Sequence, residues 1–177
     1  SEVVGDGFSS NHLHHDLLIQ LSQDIARHFL ARSATLIYGG DLRPDGFTEF
    51  ILDEASILQD RIPRAIPVIE NHLAWPLYVS EPEIVSWRAR YSQIMKTEEH
   101  DIPADIANDV SKDVFLPPNT PKNAYIWSRC LTEMREESIG SSTIRVCAGG
   151  KLAGYKGKMP GVLEEIVLAL NAQKPVF

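Results

Sequence analysis

The chain has 177 residues, 44% of them hydrophobic and 23% charged, a composition that suits one globular domain with a sizeable core. Lysine and arginine number 17 against 24 aspartates and glutamates, a net charge of −7, which argues against a general nucleic-acid surface while leaving room for one local cationic pocket. The two cysteines, Cys130 and Cys147, are too few and too poorly spaced for a zinc site or a disulfide framework. No signal peptide, long apolar run or lipidation motif calls for a membrane, so reduced, buried thiols in a cytoplasmic protein are expected.

Taken in order, Glu2-Val3-Val4-Gly5 reads as a first strand ending in a polar turn at Asp6, Gly7, Ser9 and Ser10. The spacing Gly5, Gly7, Ser10 is a distant match to a dinucleotide fingerprint, but its third position is neither Gly nor Ala, and it predicts no dehydrogenase. Asn11 can cap a helix whose Leu18, Leu21, Ile25 and Phe29 form an apolar stripe. His12, His14 and His15 stand at its start; adjacent histidines diverge on a helix and no carboxylate or thiol completes a set, so no metal is expected. Ala34 to Gly40, ATLIYGG, is a β-branched and aromatic strand stopped by two glycines. Gly39 and Gly40 would let another molecule approach the backbone, Arg43 offers a planar fork for phosphate, and Thr48 places a hydroxyl near the start of a helix carrying Phe47, Phe50, Ile51 and Glu54. The same residues also fit a tight turn in which Asp41 and Thr48 act as caps.

Farther on, Ala74 to Val79 is expected as a strand, in which Trp75 belongs either to the core or to the rim of a site as an aromatic platform. Ile84 to Met95 predicts a helix, and Lys96 to Asp113, polar and acidic with weak periodicity, predicts a solvated, mobile segment. Thr120 and Pro121 form an N-cap and first-turn pair for a helix from about Lys122 to Glu137. Arg135 near its end can reach toward the next loop or pair with a glutamate. The richest stretch follows: Thr143 to Cys147 reads as a strand, Gly149 and Gly150 end it, and Gly154, Gly157 and Gly161 keep Cβ atoms out of the loop beyond. Pro160 then opens a helix with Val162, Leu163, Ile166 and Leu170 on its apolar side. Its first turn would direct free N–H groups at an anion, with Lys151, Lys156 and Lys158 adding cationic donors and Glu164 or Glu165 available to ribose hydroxyls. Lys174 to Phe177 looks like the start of another strand, and the chain is expected to be one domain, residues 1–177, of a longer protein.

Three stretches, YGGDLRPDGFT at Tyr38 to Thr48, NHLAWPLY at Asn71 to Tyr78 and GGKLAGYKGKMPGVLEEIVLAL at Gly149 to Leu170, together resemble the SLOG superfamily, Rossmann-like domains similar to the cytokinin-activating LOG hydrolases and to the DNA-processing protein DprA. The pattern is most similar to SLOG domains found with TIR domains and in Thoeris-type anti-phage effectors. The resemblance implies an α/β fold, a Rossmann-like parallel sheet flanked by helices. It implies a sensor of an NAD-derived nucleotide, ADP-ribose or a cyclic isomer, with no cofactor, no metal and no catalytic residue. On one side of that ligand it places Gly39, Gly40, Asp41 and Arg43, and on the other Lys151, Tyr155, Lys158, Gly161 and Glu165, with Arg135 as a candidate second cationic clamp. Gly46, Phe47, Thr48, Gly149, Gly150, Pro160 and Glu164 are expected to bind the ligand as well.

The LOG hydrolases carry a compact PGG-GT--E loop, whereas here Lys151 to Pro160 separates Gly150 from Gly161 and no GT pair follows the glycines. That moves the glutamates relative to the glycines and away from the geometry glycosidic hydrolysis needs. A LOG-like nucleoside-monophosphate phosphoribohydrolase is therefore the alternative reading, and a DprA-like single-strand DNA binder is disfavoured by the acidic balance. The resemblance further implies self-association and an attached effector domain such as TIR.

Overall fold

The β-branched run after Ala34 and two later runs form a parallel sheet, and the stretches between them supply the crossover helices that parallel pairing requires. The computed structural model describes residues 15–39, 47–61, 67–80 and 84–177. In chain order these hold α1 (His15–Ala31), β1 (Leu36–Gly39), α2 (Phe47–Arg61), β2 (Ile69–Ala74), α3 (Leu77–Ser80), α4 (Ile84–Tyr91), β3 (Met95–His100), a short 3-10 turn (Ala107–Asp109), α5 (Pro121–Ser141) and α6 (Gly161–Asn171). The strands pair in parallel in the order β1-β2-β3, with Leu36 opposite Ile69 and Ile69 opposite Met95. The expected α/β, Rossmann-like arrangement is what forms.

Both faces of the sheet are covered, as an all-parallel sheet demands. On one, Ile69 and Leu73 of β2 and Met95 of β3 pack with Ala26 and Leu30 of α1, Ile51, Leu52 and Ala55 of α2, and Trp87 and Tyr91 of α4. On the other, α5 brings Ile126, Trp127, Cys130, Leu131 and Met134 against Ala74, Trp75 and Ile106. Arg27 of α1 ties the two outer helices together, its Nε and Nη2 each 2.7 Å from one oxygen of Glu54 on α2. Among the described side chains of α1 the buried positions are Ser22, Ala26 and Leu30, one turn apart, while Leu21 is half exposed. The stripe expected through Leu21, Ile25 and Phe29 is thus rotated, because Ile25 and Phe29 face a cleft rather than α2.

Three other expectations change. The second strand ends at Ala74, and Trp75-Pro76 forms a turn into α3; Trp75 is fully buried, a core residue rather than a platform. The segment expected to be solvated from Lys96 contains β3. Among the described strands it is at the edge, where the Lys96, Glu98 and Glu99 charges tolerate solvent and discourage pairing with another chain. Thr143 to Cys147 does not join the sheet; it pairs in parallel with the chain's end, Arg145 N–H donating to Pro175 O (2.8 Å), Phe177 N–H to Arg145 O (2.9 Å) and Cys147 N–H to Phe177 O (2.8 Å).

Helix α5 has the expected start: Thr120 is its N-cap, with Asn123 N–H donating to Thr120 Oγ1 at 3.2 Å, and Pro121 opens the first turn. Its far end runs to Ser141, where the Lys174 ammonium donates to the carbonyls of Ile139, Gly140 and Ser142. A cation on the last carbonyls offsets the negative end of the helix dipole, which lets the helix continue beyond Glu137. Among the described residues no helix is long and apolar enough to cross a membrane.

Candidate functional site

Beside the edge of β1 that β2 leaves uncovered lies a cleft of about 780 Å³, closed on the far side by residues 141–148 and bounded by α1, α5 and the start of α6. Its apolar wall includes Ile25, Phe29, Leu36, Tyr38 and Val146; its polar wall includes Arg135, Arg145 and Glu165. A cavity of this size, mostly apolar with a few convergent charges, has the makeup of a small-molecule site.

The charged wall is an alternating chain. Lys158 Nζ lies 3.4 Å from Glu164 Oε1, Arg135 Nη1 donates to Glu164 Oε2, Arg135 Nε lies 3.9 Å from Glu165 Oε1, and Arg145 Nη2 forms an ion pair with Glu165 Oε2. Thr132 Oγ1 adds a 2.5 Å hydrogen bond to Glu164 Oε1. Three cations against two carboxylates leave a net charge of 3 − 2 = +1. Both carboxylates are buried, Glu164 at 1% and Glu165 at 6% exposure. Charges taken out of water persist only when paired, which is why Glu164 and Glu165 at the start of α6 meet arginines from two other segments. Burial is also the main influence on the two guanidinium groups, pulling their pKa values down from the ordinary arginine value. Arg135 Nε and Arg145 Nε are buried with no hydrogen-bond partner among the described residues, so each arginine keeps a donor in hand.

The glycine-rich loop is shaped around Arg135. A Cβ at Gly161 would stand 2.7 Å from Arg135 Nη2, and one at Gly157 would stand 2.8 Å from Nη1, so the guanidinium fits only because both positions lack a side chain. Gly150 has φ +129°, and its Cβ would meet Val162 Cγ2 at 3.0 Å; backbone conformation and space both select glycine there. Lys156 Nζ sits 4.4 Å from the centroid of the Trp127 ring, about two turns before Arg135 on α5, which pins the loop to the helix.

Of the residues expected at a ligand, Gly39, Arg135, Gly150, Gly161 and Glu165 line the cleft. Glu164 and Lys158 join the charge chain behind it. Lys151 and Tyr155 lie exposed on the loop, Gly149 (φ 68°) and Pro160 flank it, and Thr48 is buried in α2. Gly40, Asp41, Arg43 and Gly46 lie outside the described residues, as does the side chain of Phe47. Sequence reading passed over Arg145 and Thr132. The signal for Arg145 was present, a lone charge inside the otherwise apolar run TIRVCA; Thr132 carried none. Among the described residues no group of three or more potential ligands is placed to hold a metal ion.

A parallel sheet flanked by helices, with a glycine-walled cleft beside its first strand, defines a Rossmann-like α/β domain. The chain belongs to the SLOG superfamily: the family model described as SLOG cluster2 matches residues 1–177. No curated protein and no solved structure matches it. Membership supports a nucleotide-related ligand-binding role.

Proposed function

We propose that this domain is a sensor for an NAD-derived nucleotide, ADP-ribose or a cyclic isomer, bound in the cleft beside β1. The observation that carries the reading is the convergence of Gly39, Gly150 and Gly161 with Arg135 and Arg145 on one cavity of about 780 Å³. A diphosphate suits the spare guanidinium donors of Arg135 and Arg145, the apolar wall suits an adenine ring, and Glu165 suits ribose hydroxyls. Lys151 and Lys158 supply further cations from the loop, which would order on binding. Sensing fits better than hydrolysis because both oxygens of Glu164 already accept, from Thr132 and Arg135, and Glu165 is ion-paired with Arg145, so neither carboxylate stands as an unpaired base before an anomeric carbon. The domain would then self-associate and regulate an attached effector such as a TIR domain in anti-phage defence, in the cytoplasm, by its differential affinity for two arrangements.

The test is calorimetric titration of the purified chain with ADP-ribose, its cyclic isomers, NAD and AMP, with chromatography of the recovered ligand. Micromolar binding of an ADP-ribose species recovered intact supports the sensor. Release of free base or ribose phosphate moves the assignment to a LOG-like phosphoribohydrolase, and absence of binding to all four overturns the ligand class.

A further inference from the structure

One buried cluster lies apart from the charge chain. His72 of β2 and His100 of β3 are 5% and 7% exposed and stack with centroids 4.8 Å apart. His72 Nδ1 is 2.8 Å from His100 Nε2, and His100 Nδ1 is 2.9 Å from Glu137 Oε2 on α5. The partners dictate the hydrogens. A carboxylate only accepts, so His100 Nδ1 bears an N–H. With His100 neutral its Nε2 must accept, so the bridging hydrogen belongs to His72 Nδ1. A neutral His72 then has a bare Nε2, and that atom is buried without a hydrogen-bond partner among the described residues. Glu70 Oε2 lies 4.0 Å from it, and Glu70 lines the cleft.

A lone pair buried beside a carboxylate is an unfavourable arrangement that one proton reverses. With one proton added, whether the charge rests on His72 or on His100, an N–H stands at His72 Nε2 and faces Glu70. A second proton is barred, because His72 Nδ1–H and His100 Nε2–H would then point at each other across 2.8 Å. We propose that the His72–His100 pair is a one-proton acceptor that sets the charge at the Glu70 wall of the cleft, so that anions bind there more tightly as pH falls. The other charges about the pair fit this role. Glu137 anchors His100, Lys96 and Glu98 pair with each other on β3, Asp101 is taken up by Lys112 and Tyr78, and β1 places Gly39 opposite His72. Burial first, then repulsion from a charge on His100, hold His72 below the ordinary histidine value, so His72 is neutral at neutral pH until an anion draws the proton in.

The proposal stands whatever ligand the cleft takes, and nitrogen-15 NMR of the histidine rings in the free 177-residue chain from pH 8 to pH 5 tests it first. The expected result is an Nδ1–H form for both rings at pH 8 and uptake of a single proton shared by them. Two independent titrations, each reaching the doubly protonated ring, or an Nε2–H form of His72 at pH 8, would overturn it. Glu137→Gln, on the exposed side of α5, should move the uptake to lower pH; an unchanged titration would also count against the pair. The consequence for binding is then read with ADP-ribose, whose apparent Kd should tighten about three- to tenfold from pH 8 to pH 6, at most about tenfold per unit for one proton. His72→Gln should abolish that slope and His28→Gln, on the exposed face of α1, should keep it. If ADP-ribose binds at no pH the nucleotide reading fails, and the ring titration alone decides the proton site.

Discussion

Arg135 Nη2 and the α-carbon of Gly161 are in such close approach that a single methyl group on Gly161 would stand 2.7 Å from the guanidinium nitrogen. The glycine-rich loop therefore serves the protein's own arginine. Gly161→Ala should destabilise the fold by about 1 to 3 kcal/mol, the usual cost of overpacking a filled site. In a denaturant-unfolding cycle with Arg135→Met the two changes should couple by at least about 0.5 kcal/mol, and simple additivity would show that the contact does not matter.

Arg135→Met alone removes the main partner of a carboxylate that is 1% exposed. Leaving a buried charge unpaired costs about 3 to 5 kcal/mol, whereas removing both members of the pair is often close to neutral. Arg135→Met should thus be severely destabilised and Arg135→Met with Glu164→Leu much less so, as thermal or urea unfolding of the two variants will report.

Arg145 should matter more to ligand affinity than any lysine of the loop, since it lines the cleft and keeps a buried Nε donor, while Lys151 lies on the surface. Arg145→Gln should weaken ADP-ribose binding at least about tenfold, equivalent to about 1.4 kcal/mol. If Lys151→Ala proves the more damaging substitution in the same titration, the phosphates lie on the loop rather than in the cleft.

The folded state holds the His72 pKa down, so the unfolded chain binds that proton more readily. Stability from this residue is complete above the unfolded value of roughly 6.5 and is lost as pH falls through the folded value. Urea-unfolding free energies measured from pH 8 to pH 5 should decline more steeply in the parent chain than in His72→Gln. Parallel curves would exclude the contribution.

Cys130 is 1% exposed, and burial pushes its thiol up to about 12; Cys147 is only partly buried. Alkylation of the native protein near pH 8 should modify Cys147 first and leave Cys130 unmodified until denaturant is added, as peptide mass spectrometry will show.

How far the sequence disclosed all this follows from where the decisive forces act. Strand β1 was legible because β-branched residues ended at Gly39, and the start of α5 because Thr120 and Pro121 are strong local signals. Strand β3 was hidden: an edge strand carries Lys96, Glu98 and Glu99, and its strand character comes from pairing with β2, not from composition. The glycines and glutamates of the last loop stood out, but their service to Arg135 did not. That relationship joins residues 26 positions apart, Arg135 and Gly161, and appears only once α5 and α6 pack together. The extension of α5 past Glu137 was equally invisible, since Lys174 caps it from the other end of the sequence.

Helix α5, 21 residues and therefore about 31 Å long, lies against all three strands and α6. Its one rigid spacing sets Thr132 and Arg135 on the glutamates of α6, Met134 against Gly39, and Glu137 on His100. A slide or rotation of that rod by one residue would unseat all of these contacts at once. The helix works as a ruler: one bar fixes, by its length alone, the distance between the charge chain at Arg135 and the histidine contact at Glu137.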